Sequence, residues 1–241
     1  IKNTFKRHMG YSLNLDNPQT LNEKLNWLKL YDRKDLYTII ADKYAVRDYV
    51  KHKVGDKYLI PLFLETKNAK DLTPKNLPKS NFIIKTNHDS SGGLIVIESS
   101  DVNWKKTQEK FSRLLKECHY TVTREWQYKN IPRRIIVEQL LTTKEGKIPN
   151  DYKFLFLNGK LAFIIVDLDR FGPNRTRNLY DSKWNLLPCE WKRPNGIKLE
   201  KPKRFKKMKK IAKILAKDFV CIRVDLYNID GKIFFGELTL H

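Results

Sequence analysis

The chain has 241 residues, 41% hydrophobic and 12% aromatic, enough to bury a core in one large domain or two small ones, which excludes a disordered polymer. Lys and Arg number 48 against 27 Asp and Glu, a net charge of +21, so the expected partner is anionic: nucleic acid, a nucleotide, a phosphorylated lipid or an acidic glycan. No apolar run approaches the ~20 residues that span a bilayer, and Cys118, Cys189 and Cys221 form no C-x-x-C pair, which fits a reduced cytosolic setting. The chain opens at Ile1 without Met, which leaves a lost leader open.

In chain order, Thr20 and Glu23 form a capping box ahead of Leu21, Leu25 and Leu28, spaced for one helical face. A second helix is expected from Asp35 to Gly55, so residues 1–57 make a helical N-terminal arm. Tyr58 to Glu65 and Phe82 to Thr86 read as strands, followed by a polar glycine loop and a strand from Leu94 to Glu98. Residues 103–118 have helical periodicity, and residues 133–141 read as a strand buried on both faces. Residues 152–169 make a hairpin with Asn158-Gly159 at its tip. The helix at 203–217 buries Phe205, Met208, Ala212 and Leu215 on one stripe. Ten Lys and Arg lie between Lys198 and Lys217 beside one acid, Glu200. That face suits anionic lipid or nucleic acid, or is the solvated side of a packed helix. No RRM, KH or zinc-finger signature supports specific nucleic-acid binding. Helices alternating with hairpin-connected strands predict an α+β architecture.

The last nineteen residues read as a second hairpin. Ile222, Val224, Leu226, Phe234, Leu238 and Leu240 alternate with Arg223, Asp225, Glu237, Thr239 and His241. A three-residue loop at Asn228-Ile229-Asp230-Gly231 places Asp225 and Glu237 on one face, whereas a two-residue Asp230-Gly231 turn places them on opposite faces. Two adjacent carboxylates repel unless a cation lies between them, and hard oxygens suit Mg²⁺ held against phosphate. An amphipathic hairpin with a solvated charged face fits the same pattern.

Other constellations are softer. Lys85-Thr86-Asn87-His88-Asp89-Ser90-Ser91-Gly92-Gly93 links two strands, and its glycines let backbone N–H groups approach an anion, with Lys85 as a point charge. It is not a Walker A loop, and a plain glycine-rich hairpin reads equally well. Glu138-Gln139-Leu140 ends the buried strand, where free backbone groups can read an adenine edge. Asp151-Tyr152-Lys153 starts the Asn-Gly hairpin, and Arg170, Arg175 and Arg177 with Asn178 suit a phosphoryl clamp or a surface loop.

The order of these pieces is more specific than any one of them: a helical lysine, a strand lysine leading into a glycine loop, a strand ending in Glu, a D-x-K strand, an arginine, and finally R-x-D…E. This order resembles the ATP-grasp superfamily, whose members include D-alanine–D-alanine ligase. Five segments are similar to its teichuronopeptide-biosynthesis (TupA-like) branch: L-N-E-K-L-N-W-L-K-L-Y-D (21–32), D-K-Y-A-V-R-D-Y-V (42–50), T-R-E-W-Q-Y-K-N-I (123–131), D-Y-K-F-L-F-L-N-G-K (151–160) and R-V-D-L-Y-N-I-D-G-K-I-F-F-G-E-L-T (223–239).

The resemblance implies an ATP-grasp fold, with two α+β subdomains (58–137 and 138–241) enclosing a nucleotide cleft beyond the helical arm. It implies ATP and Mg²⁺ as cofactors. Lys43 and Lys85 would contact the phosphates, with His88, Ser90, Ser91, Gly92 and Gly93 closing over them. Glu138 and the Gln139–Leu140 backbone would hold adenine, and Asp151 or Lys153 the ribose and phosphates. Arg170 or Arg177 would meet the γ-phosphate, and Arg223 the developing charge. Asp225, Glu237 and Thr239 would hold the metal, with Thr239 where many relatives carry Asn.

The implied reaction phosphorylates a carboxylate and lets an amine displace the phosphate, on an acidic cell-surface polysaccharide or its precursor. The acceptor would be an anionic glycan or uronic acid, with polyprenyl-phosphate or peripheral membrane association at the inner, cytoplasmic face. A polyanion-binding module with a degenerate nucleotide site, or a glycosyltransferase-associated assembly protein, are the alternatives. The family continues beyond His241 into a proline-glycine segment and often carries a Rossmann-like N-terminal domain, so a C-terminally short chain is expected here.

Overall fold

Two antiparallel sheets carry the chain, and the alternation of side chains along their strands decides which face of each is buried. The structure is a computed structural model that describes residues 1–89, 93–169, 172 and 174–240. The first sheet contains β1 (Leu62–Thr66), β2 (Ser80–Thr86), β3 (Leu94–Glu98) and β4 (Ile135–Gln139), in the order β1-β4-β2-β3. Strand β4 lies between β1 and β2, and Ile135, Ile136 and Val137 are fully buried, so both its faces are covered there and these residues are apolar without alternation. Phe82, Ile84, Val96, Ile135 and Val137 pack against Phe111 and Leu114 of an α-helix spanning Trp104–Leu114. Asn103 caps that helix, its side chain accepting from the Lys106 N–H. The alternate residues Ile83, Lys85, Ile95 and Glu138 face a cleft.

The second sheet contains β5 (Asp151–Leu157), β6 (Lys160–Leu168), β7 (Thr176–Tyr180), β8 (Cys221–Ile229) and β9 (Lys232–Thr239), in the order β7-β6-β5-β8-β9. One face, with Phe154, Phe156, Ile164, Val166, Ile222 and Val224, packs on the helix Phe205–Ala216. That helix buries the expected stripe of Phe205, Met208, Ala212 and Leu215, together with Ile211 and Ala216. The other face looks into the same cleft, so the molecule is a mixed α+β fold with two sheets enclosing one site.

The N-terminal segment divides. Helices α1 (Lys2–Met9) and α2 (Leu21–Tyr31) contribute nothing to the three core clusters of the described residues. The capping box is present, with the Thr20 hydroxyl accepting from Glu23 N and the Glu23 carboxylate accepting from Thr20 N. The single helix expected from Asp35 to Gly55 is two, α3 (Asp35–Ala41) and α4 (Val46–Val54). Asp42 adopts an extended backbone, and its carboxylate accepts from the N–H groups of Tyr44 and Ala45, as a capping residue does. Lys43 therefore sits in a turn instead of inside a helix. Tyr37, Ile40, Val46 and Val50 join the second core, so α3 and α4 belong to the large sheet.

Both hairpin turns have two residues. Asn158 (φ 48°) and Gly159 (φ 72°) match the Asn-Gly expectation, and Asp230 (φ 52°) and Gly231 (φ 92°) form a turn of the same left-handed kind. The three-residue loop expected at 228–231 is therefore absent. Asp225 and Glu237 nevertheless pair directly, because the register shifts at Gly236, where Asp225 faces Glu237 and Leu226 faces Phe235. This β-bulge restores the parity that the short turn would break. It also reverses Phe234, expected on the core face: Ile233 and Phe235 enter the main core, while Phe234 packs with Ile60 and Leu141 beside the cleft.

Candidate functional site

The cleft between the sheets is lined by both apolar and charged side chains. Ile60, Ile83, Ile95, Leu140, Leu141, Ile148 and Pro149 are the apolar ones; Lys43, Lys85, Glu138, Asp151, Lys153, Arg223, Asp225 and Glu237 supply the charge. Glu138 is buried and bridges two cations drawn from different elements: Lys85 Nζ at 2.6 Å from Oε2 and Arg47 Nη1 at 2.9 Å from Oε1. Such a pair holds the Lys85 ammonium at the rim of the first sheet, pointing into the cleft. Lys43 donates to the main-chain oxygen of Asp89. Burial depresses the pKa of its ammonium, opposed by Glu237 and assisted by Lys85. The two lysines expected at the phosphates thus converge from different segments.

Asn87 brings them together, and sequence reasoning assigned it no role. It is fully buried. Its side-chain amide donates to Asp42 Oδ1 (2.7 Å) and Pro132 O (2.9 Å), and its Oδ1 accepts from Arg134 N (2.7 Å). Its carbonyl accepts from Lys43 N at 3.0 Å. Arg47 was also missed, since a helical arginine reads as solvated and its partner lies 91 residues away.

The second sheet presents alternating acids and bases. The Lys153 side chain is only 9% exposed, and its Nζ lies 2.7 Å from Asp151 Oδ2 and 2.6 Å from Asp167 Oδ2, while Arg177 Nε is 2.6 Å from Asp167 Oδ1. Burial raises the Asp167 pKa, but hydrogen bonds from Arg177 and Lys153 outweigh it and hold the carboxyl at about 2. Its folded value lies below its unfolded one, so this stabilisation is complete above about pH 4 and is lost as pH falls toward 2. Asp167→Asn should lower stability at pH 7 by about 3 kcal/mol, because it leaves buried cations short of a partner. Melting curves of variant and wild type should draw together as pH falls from about 4 toward 2.

Arg223 Nε and Nη2 each lie 2.7 Å from an oxygen of Asp225, and Nη2 is also 3.0 Å from Thr239 Oγ1 and 3.7 Å from Glu237 Oε2. Burial, the pull of Arg223 and the repulsion of Asp151 leave the Asp225 carboxyl pushed up to about 7. Asp225, Glu237 and Thr239, the expected Mg²⁺ ligands, therefore already face one cation. Among the described residues no cluster of three or more His, Cys, Asp or Glu forms a metal cage. Two carboxylates and a hydroxyl suit an ion that takes its remaining ligands from phosphate and water, so the residues fit Mg²⁺.

Several expected contacts lie elsewhere. His88 is buried, with Nε2 3.2 Å from Leu114 O and Nδ1 3.2 Å from Asn87 Oδ1, and it does not line the cleft. The N–H groups of Gln139 and Leu140 donate to Pro61 O and Asn81 O, so the backbone donors expected for adenine are already engaged within the sheet. Arg177 serves Asp167 and stacks its guanidinium over Trp191. Ser90, Ser91, Gly92, Arg170 and His241 lie outside the described residues. Gly93 adopts φ 82°, and a Cβ there would collide with Ile84 O, a backbone atom that cannot yield cheaply. Gly93→Ala should cost about 2–4 kcal/mol and lower the melting midpoint accordingly.

A family model described as TupA-like ATPgrasp matches residues 23–241. D-alanine–D-alanine ligase from Bacillus anthracis complexed with ATP is 18% identical over 84% of this chain and 55% of that chain, with a TM-score of 0.48. L-amino acid ligase from Bacillus licheniformis is 12% identical over 99% of this chain and 53% of that one, at 0.49. D-cycloserine synthetase DcsG is 16% identical over 91% and 70%, at 0.48. The chain spans about half the length of the first two. Comparison with curated proteins found no match. With its motifs in order and the family model matching from residue 23 onward, the chain belongs to the TupA-like ATP-grasp family.

Proposed function

We propose that the cleft binds Mg·ATP and that the chain is the nucleotide-binding part of an ATP-dependent carboxylate–amine ligase acting on an acidic cell-surface polysaccharide or its precursor. The observation that carries this reading is the convergence of Lys43, Lys85, Arg223, Asp225 and Glu237 on one cleft that Ile60, Ile83, Ile95, Leu140 and Leu141 also line. A purine base suits the apolar lining residues, and a polyphosphate suits the charged ones. Lys85, braced by Glu138, and Lys43 offer point charges to phosphate oxygens, while Lys153 holds Asp151 in place. Asp225, Glu237 and Thr239 would hold Mg²⁺, which supplies charge neutralisation between phosphate oxygens when bound.

In the proposed reaction a substrate carboxylate oxygen attacks the γ-phosphorus as the bond to the ADP oxygen breaks. An amine nitrogen then attacks the acyl carbon, phosphate leaves, and the nitrogen loses a proton to give the amide. Fixed cations stabilise the negative charge that spreads during both steps. The net charge of +21 favours an anionic acceptor such as a uronic acid, and a polyprenyl-phosphate carrier at the cytoplasmic membrane face has the same charge logic. Among the described residues no helix is long and apolar enough to cross a membrane. ADP release that requires Mg²⁺, a uronic-acid acceptor and an amine together supports the ligase. Salt-sensitive polymer binding with no nucleotide binding would replace it with a polyanion-binding module.

A further inference from the structure

The three oxygen groups proposed to hold the metal converge on a side chain of the same sheet. The Arg223 guanidinium makes two 2.7 Å bonds to Asp225, one of 3.0 Å to Thr239 Oγ1, and approaches Glu237 Oε2 at 3.7 Å. A planar fork on a carboxylate is the strongest geometry an arginine can adopt. A divalent ion bridging Asp225 and Glu237 would draw on the same carboxylates at a few ångströms from the guanidinium charge, so the ion and the arginine compete for Asp225. The Asp225 side chain is 5% exposed and that of Arg223 28%, so the arginine is the partner with room to leave.

We propose that Arg223 is a resident cation that occupies the metal site of the nucleotide-free chain and yields Asp225 only when the metal arrives together with a nucleoside polyphosphate. Choosing that ligand rests on the ligase reading; the competition between Arg223 and the ion rests on these distances and on the like charge of the two cations. A bare divalent ion must shed water, break both charge-assisted bonds and leave the guanidinium without an anion. A metal–polyphosphate complex brings oxygens to which the released guanidinium can turn. Arg223 is in this sense a positioning residue: it blocks metal uptake by the empty site and is delivered to the phosphate end when the site fills. Linkage makes the effect reciprocal, so nucleotide tightens metal binding by the factor by which metal tightens nucleotide.

The test is a titration with Mn²⁺ alone at pH 8, free ion being followed by electron paramagnetic resonance. Four proteins are compared: wild type, Arg223→Gln, Arg223→Lys and the double variant Arg223→Gln/Asp225→Asn. Wild type should bind Mn²⁺ weakly, with ADP tightening it by about tenfold or more. Arg223→Gln should bind Mn²⁺ alone about tenfold more tightly than wild type, and the double variant should lose that gain. An unchanged affinity in Arg223→Gln, or a gain that survives in the double variant, would overturn the proposal. Should Arg223→Gln fail to fold, Arg223→Lys decides, since lysine cannot fork across Asp225 and Mn²⁺ affinity must still rise. Absence of ADP binding to wild type would sink the ligase reading, while the nucleotide-free comparison would still judge Arg223.

Discussion

Asp225→Asn should reduce Mg²⁺-dependent ADP release by about 10³-fold, equivalent to several kcal/mol of lost charge stabilisation. The substitution is nearly isosteric, and its carbonyl oxygen still accepts from Arg223, so the hairpin register set by the Gly236 bulge persists. What it removes is the buried negative charge opposite Glu237. The same change should alter stability with a definite sign. Burial, with Asp151 and Glu237 adding to it against Arg223, raises the folded pKa of Asp225 to about 7 from 3.8. Between those values the unfolded chain ionises more readily than the folded one, so wild-type stability falls as pH rises from about 4 to 7. Asp225→Asn should lack that loss, and its melting midpoint relative to wild type should climb over the same interval. A variant that is inactive, and whose stability no longer falls as pH rises toward 7, is the signature of a carboxylate kept for a cation and not for stability.

Asn87→Ala should be the most damaging substitution away from the metal end, costing about 3–5 kcal/mol, or roughly 10 °C in melting midpoint. The methyl group leaves Pro132 O and Arg134 N without their partner and removes one donor from Asp42, all in a fully buried setting. The effect on the site follows from connectivity. Asn87 joins the break between α3 and α4, the end of β2 and the approach to β4, so Lys43 and Lys85 lose their common support. Denaturant unfolding should show the stability loss, and nucleotide titration of the surviving folded protein should show weaker binding.

Which features were legible in the sequence depends on whether their cause is local. The capping box at Thr20, the Asn158-Gly159 turn and strand β3 are set by neighbouring residues, and the structure has them where the pattern puts them. The α3–α4 break was not legible because Asp42-Lys43-Tyr44-Ala45 contains no glycine or proline, and the capping role of Asp42 depends on Asn87 across the molecule. The terminal hairpin shows both sides. Its Asp-Gly turn obeys the two-residue rule, while Gly236 inside a strand was a readable sign of a bulge that the alternation pattern passed over. Asp225 and Glu237 share a face for that reason and not through the three-residue loop.

Within the site, Lys85, Glu138, Lys153 and Asp225 were accessible because each is a charge in an otherwise apolar or alternating strand. Arg47 and Asn87 were not, since a single polar residue on a helix or loop has many ordinary explanations until its partner is placed. His88, which the family resemblance placed in the loop over the phosphates, is instead buried against Leu114 O and Asn87 Oδ1, partners that no local pattern reveals.

The most direct test of the account is a thermal-shift titration with Mg·ATP on wild type and on Lys85→Ala. Ligand that binds only the folded state stabilises it by RT ln(1 + [L]/Kd), about 2.7 kcal/mol at a hundredfold excess over Kd, or roughly 5–10 °C for a chain of this size. Wild type should show that rise, and Lys85→Ala, which keeps the Arg47–Glu138 pair but removes the ammonium at the cleft rim, should show a much smaller one. A wild-type midpoint that does not move with Mg·ATP would contradict the nucleotide site itself.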